Sequence, residues 1–132
     1  MKAVDTNILI RFLVRDDRKQ ADLVYRELKK TENDRGVLFV PLLVVLETIW
    51  VLESVYDVSK KEIIEAIDDL LLMPVFEFEA QGVISGVIQS ERDSKLDLSD
   101  LLIAHSANVS GCNTVVTFDK KASKSEYFEL LK

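Results

Sequence analysis

The chain has 132 residues, 48 % hydrophobic and 30 % charged, with a formal net charge of −6. That length suits one domain with a core large enough to need no disulfide staples. The acidic balance argues against a broadly basic nucleic-acid-binding surface. The charge is nevertheless uneven. Residues 1–35 carry nine Lys or Arg against seven Asp or Glu, whereas residues 36–119 carry four against fourteen. That central acidity is either a solubility feature or a charge partly offset by bound metal cations, and composition does not choose between the two. The single cysteine, Cys112, builds neither an internal bridge nor a Cys-rich zinc site. The longest apolar run, Leu42 to Leu52, is too short for a membrane span and contains Glu47. No secretory leader is evident, because Asp5 and Arg11 interrupt the opening, so the chain reads as cytoplasmic.

In chain order, Lys2 to Val4 reads as a short buried strand that ends at Asp5-Thr6-Asn7. Asn7 to Val14 has helical spacing, with Asp5 or Thr6 as its cap. Arg18 to Lys30 is a second helix, with Ala21, Val24, Tyr25 and Leu28 on its apolar face. Asn33 to Gly36 is a turn, and Val37 to Val40 a second strand. Pro41 opens a helix that runs to about Val55 and whose all-round apolarity predicts burial. Ser59 and Glu62 form the pattern of a capping box for a helix that Pro74 ends. Val75 to Phe78 is a third strand, Glu79 to Arg92 a helix, and Leu98 to Ser110 a helix stopped by Gly111. Thr114 to Thr117 is a fourth strand, with a short fifth near Phe128 to Leu131. The alternation predicts a three-layer α/β/α fold around one mainly parallel sheet of four to five strands, as a single domain over 1–132.

Ligands of open parallel sheets bind beyond the carboxyl ends of the strands. Asp5 follows strand one and Asp119 follows strand four, although an aspartate there also serves as a turn or cap residue. Glu47 stands in the middle of an apolar helix, so burial would demand an Arg or Lys partner, a proton or a metal ion. Asp97 and Asp100 share a face at a helix start. Asp97 has the position of an N-cap, and Asp100 is either favoured by the helix dipole or directed into a site. Carboxylates that converge repel one another unless a cation intervenes, and oxygen ligands suit Mg²⁺ or Mn²⁺. With one histidine, His105, paired-histidine RNA cleavage is unavailable, and His105 reads as a core or helix-face residue. There is no nucleophile elbow and no Gly-rich phosphate loop.

Val4-Asp5-Thr6-Asn7-Ile8-Leu9-Ile10-Arg11, Glu47 in its apolar helix, Leu98-Ser99-Asp100-Leu101-Leu102-Ile103-Ala104 and Thr117-Phe118-Asp119 resemble, in order and spacing, the four acidic motifs of the PIN-domain family. The likeness is greatest to VapC-type toxins of VapBC toxin–antitoxin systems and spans residues 1 to about 122. It implies a ribonuclease that uses Mg²⁺ or Mn²⁺, with Asp5, Glu47, Asp100 and Asp119 as metal-binding and catalytic residues. Asp97 would support those carboxylates from behind, and Thr6, Asn7 and Thr117 would orient them or bind phosphate through side-chain hydrogen bonds. The resemblance also implies a small antitoxin partner and a homodimer, for which Trp50, Val51 and Val55 are candidates, core packing being the default. Arg11 and Arg15 are candidates for contact with the RNA backbone; pairing with Asp16 or Asp17 is the other reading. Three other readings fit less well. A haloacid dehalogenase-type phosphatase would need an aspartate where Asn7 stands, and a receiver-type phospho-acceptor has no clear pattern here. A non-catalytic module of the same fold that binds RNA or a partner is distinguished by an RNA assay with Mn²⁺ and EDTA.

Overall fold

The computed structural model describes residues 1–90 and 95–132. The chain gathers into two compact units, 1–79 and 80–132. The first holds β1 (Lys2–Ala3), α1 (Thr6–Val14), α2 (Arg18–Asn33), β2 (Leu38–Val40), α3 (Leu42–Ser54), α4 (Lys60–Leu71) and β3 (Phe76–Phe78). Its strands form a parallel sheet in the order β1-β2-β3, with Leu38 opposite both Lys2 and Phe76.

Local chemistry places these elements. Asp5 caps α1, its Oδ1 accepting from the Thr6 amide at 2.8 Å. Asp17 caps α2 by accepting from the Gln20 amide. Pro41 precedes α3 and offers no side-chain cap; Glu79 supplies one instead, its Oε1 accepting from the Leu42 amide at 2.9 Å. Ser59 Oγ accepts from the Glu62 amide at 3.2 Å, one half of the expected capping box. Leu9, Ile10, Val40, Ile49 and Ile63 are almost completely enclosed, and Phe76 packs edge-on against Phe12 and Phe78.

Three expectations about this unit are corrected. The first strand is exposed at both Lys2 and Ala3, and only Val4, just beyond it, is buried. Tyr25 is 53 % exposed and carries Lys29 Nζ over its ring at 5.5 Å, so the buried face of α2 is Val24 and Leu28. α3 is not enclosed on all sides. Val45, Thr48, Ile49 and Leu52 form its inner stripe, whereas Leu43, Glu47 and Trp50 lie exposed at i, i+4 and i+7. Trp50 is 57 % and Val55 64 % exposed, so neither is a core residue. Apolar composition alone does not say which side of a helix meets water.

The second unit holds α5 (Gln81–Ser90), α6 (Leu98–Val109), β4 (Val115–Thr117), a 3-10 turn (Ala122–Lys124) and β5 (Phe128–Leu130). The expected helix end at Arg92 lies outside the described residues. Gly111 takes φ 94° just past α6, where a side chain would be strained. α5 packs on α6, and Val83, Ile84 and Val87 of the one and Leu98, Leu101 and Leu102 of the other are buried. β4 and β5 pair in parallel, with Val115 opposite Phe128. The α/β class and parallel pairing therefore hold; among the described residues the five strands hydrogen-bond as a set of three and a set of two.

Candidate active site

Asp5 and Glu47 belong to the first unit. Asp5 is exposed just past β1; one of its oxygens is engaged in the cap of α1. The next residue, Thr6, is only 3 % exposed, and its Oγ1 is shut from water with no hydrogen-bond partner among the described residues. A buried hydroxyl without a partner costs about 1–3 kcal/mol, so a polar group that completes it would be welcome beside Asp5. Asn7 is exposed on the same turn. Glu47 stands on the outer stripe of α3, where water solvates it. Burial therefore creates no need for a counter-charge there, contrary to the expectation from the sequence.

The two arginines of α1 and its C-terminus differ. Arg11 is half-buried and held by its neighbours: Nε donates to Gln20 Oε1 at 2.6 Å, and Nη1 donates to Asp16 Oδ1 at 3.3 Å and to the Tyr56 hydroxyl at 3.2 Å. Tyr56 in turn donates to Asp16 Oδ2 at 2.9 Å. The ion-paired reading, with Asp16, describes this residue. Arg15 adopts the left-handed conformation at φ 60°, lies exposed over the Phe12 ring, and donates from Nε to Phe12 O.

Asp97, Asp100 and Asp119 belong to the second unit. Asp97 occupies the N-cap position of α6, yet its side chain makes no capping hydrogen bond, so capping does not consume its carboxylate. Asp100, in the first turn, is partly buried. Burial pushes its carboxyl above the ordinary value, the negative charges of Asp97 and Asp119 push it further, and Lys121 opposes them. The i, i+3 spacing brings Asp97 to Asp100; the approach of Asp119 is a tertiary fact. Asp119 also does the turn work its position suggested. Its amide donates to Thr117 Oγ1 at 3.0 Å, and its Oδ1 accepts from the amides of Lys121 and Ala122 at 2.9 and 3.2 Å. Thr117 thus positions Asp119. The sequence reading passed over Lys121, the one cation among the described residues that acts on Asp100; its place two residues after Asp119 was the available signal.

Among the described residues, no three His, Cys, Asp or Glu side chains are gathered as a ready-made metal cage. The donor chemistry nonetheless suits a hard divalent cation: in the second unit the carboxylates of Asp97 and Asp119 act on the partly buried carboxyl of Asp100, a repulsion that a cation would relieve. His105 is outside this chemistry. Its Nε2 lies 3.0 Å from Ser90 Oγ, and its ring lies against Tyr127, in the helix-face role expected of it.

The PIN domain family model matches residues 2–126. A relative from Aquifex aeolicus (strain VF5), named "VapC ribonuclease", is 26 % identical over 124 residues, covering 94 % of this chain and 91 % of the relative. No helix among the described residues is long and apolar enough to cross a membrane. With the four acidic motifs in order and the family model spanning nearly the whole length, this chain belongs to the PIN domain family.

Proposed function

We propose that this protein is a divalent-metal ribonuclease that hydrolyses RNA phosphodiester bonds, and that it acts as the toxin of a toxin–antitoxin pair from one domain spanning 1–132. The observation that carries the reading is Asp100: a partly buried carboxyl at a helix start, raised by burial and by two further aspartates. Such an arrangement destabilises a protein that has no use for it. The family membership and the relative's name support the choice of RNA as substrate.

In this proposal Asp5, Glu47, Asp100 and Asp119 hold Mg²⁺ or Mn²⁺. Thr117 holds Asp119 through its amide, Thr6 has a buried hydroxyl still without an acceptor, and Asn7 and Asp97 add polar groups beside the ligands. A bound divalent cation supplies Lewis acidity toward water and phosphate. Asp100, whose proton affinity burial and two neighbouring carboxylates raise in the metal-free protein, is the ligand whose repulsion a bound cation would relieve. Lys121 opposes excess negative charge beside it. A small antitoxin protein and a second copy of the chain are the proposed partners.

Incubation of purified protein with single-stranded RNA and Mn²⁺, with and without EDTA, tests this directly. Cleavage should require the metal and should fall at least about a hundredfold in Asp5→Asn and Asp100→Asn, as expected on loss of a group that holds a catalytic metal. Cleavage that survives EDTA, or equal rates in the variants, would sink the proposal. RNA retained but uncut would favour the non-catalytic module.

A further inference from the structure

The second unit contains a cavity of about 600 Å³ that the acidic chemistry does not use. Lys95, Lys121 and Lys124 line it, together with the hydroxyl-bearing Ser90, Ser125 and Tyr127. Glu126 is the one acidic residue in its lining among the described residues. Residues 80–132 contain six Lys or Arg in all, so half of that unit's cations face one cavity of an acidic chain. None of the three lysines makes an ion pair among the described residues.

Part of the wall is held by hydrogen bonds. Ser90 Oγ is tied to His105 Nε2 at 3.0 Å, and the His105 ring rests on Tyr127 at 5.6 Å. Ser125 Oγ accepts from the Tyr127 amide at 3.2 Å, which leaves its own proton to donate. Asp119 Oδ1 accepts from the Lys121 amide, so the carboxylate proposed to hold metal also fixes the turn that carries Lys121. Lys121 lies near enough to act on Asp100, so the cavity and the acidic side chains meet at that lysine.

We propose that the Lys95–Lys121–Lys124 cavity holds a backbone phosphate of the RNA strand adjacent to the one that is cut, an inference that rests on the ribonuclease reading. Three ammonium groups and two hydroxyl donors suit a phosphate, whereas a protein carboxylate would need no cavity of this size. A volume within the range of ligand sites, about 300–1,000 Å³, admits a whole nucleotide. An acidic protein thereby gains a local, rather than global, attraction for its polyanionic substrate.

The test uses the full chain and a fluorescein-labelled single-stranded 12-nucleotide RNA, with Ca²⁺ in place of Mg²⁺ and fluorescence anisotropy over a NaCl series. Lys95→Gln/Lys124→Gln should bind about tenfold more weakly, and the salt slope of log K should fall by about 0.7 for one phosphate lost. Lys95→Arg/Lys124→Arg should restore both. Affinity and slope unchanged in the Gln variant, or not restored by Arg, would overturn the proposal; Lys124→Gln alone carries the comparison if the double variant melts early. A wild type that binds with a lysine-dependent slope but fails to cut in Mn²⁺ refutes the nuclease and keeps the subsite. One that cuts with lysine-independent binding refutes the subsite alone, and one that neither binds nor cuts refutes both.

Discussion

Two glycines of α5 should answer to the same substitution with opposite signs. A Cβ added at Gly82 meets nothing within 4 Å, whereas one added at Gly86 comes to 3.1 Å from Nδ1 and 3.4 Å from Cε1 of His105. Alanine in a helix gains up to about 1 kcal/mol over glycine from backbone entropy, less near the helix start where Gly82 stands. Gly82→Ala should therefore stabilise by about 0.5 kcal/mol. At Gly86 the same gain is opposed. The His105 ring cannot easily retreat, because Ser90 holds its Nε2 and Tyr127 lies against its face. Overpacking of this kind costs about 1–3 kcal/mol, and breaking the Ser90 bond would forfeit about 1 kcal/mol. The balance is a net loss of about 1–2 kcal/mol for Gly86→Ala. Urea unfolding followed by far-UV circular dichroism reads both as shifts of midpoint at constant m-value. In a His105→Ala background Gly86→Ala should change sign and stabilise, since the obstacle is gone. Equal stabilisation at the two glycines, or a loss at Gly86 that persists without His105, would refute the packing argument.

The raised carboxyl of Asp100 makes a pH prediction for metal-free protein. A folded-state proton affinity above the unfolded one contributes stability that is fully present below the ordinary value of 3.8 and is lost as pH rises through the raised value. The stability of Asp100→Asn minus that of wild type should thus grow with pH across that window and level off by neutrality; urea midpoints in EDTA over a pH series would contradict this if the difference were flat. Thr6→Val removes a buried hydroxyl that has no partner. It should raise metal-free stability by about 1 kcal/mol while reducing Mn²⁺-dependent cleavage, and a thermal melt that falls instead would mean that Oγ1 is satisfied. Arg11→Gln should lower stability by loosening Asp16, Gln20 and Tyr56, yet leave the salt slope of RNA binding unchanged; a slope reduced by about 0.7 would place Arg11 on a phosphate.

Much of the molecule was legible from residue order. Period and punctuation located the six α-helices of the described residues to within a few residues, though not the 3-10 turn at Ala122–Lys124, and the caps at Asp5 and Ser59 follow from side-chain oxygens that can reach only nearby amides. The four acidic motifs and the pairing of Asp97 with Asp100 were equally local, since i, i+3 spacing fixes a shared face. What the sequence could not decide involved distant neighbours. The exposure of Glu47 and Trp50 depended on which side of α3 the rest of its unit covers, and an all-apolar stretch carries no mark of that side. The partition of Arg11 toward Asp16 and Tyr56 depended on a loop 45 residues away. The division of the strands into sets of three and two depended on hydrogen bonds between segments remote in the chain. Likewise, Asp119 and Lys121 act on Asp100 from across a fold that brings residues 19 and 21 positions away into reach. Residue identity sets which groups can donate, accept or repel over a turn or two of chain. Only tertiary packing sets which of them meet, because Coulomb and hydrogen-bond energies depend on distance in space rather than in sequence.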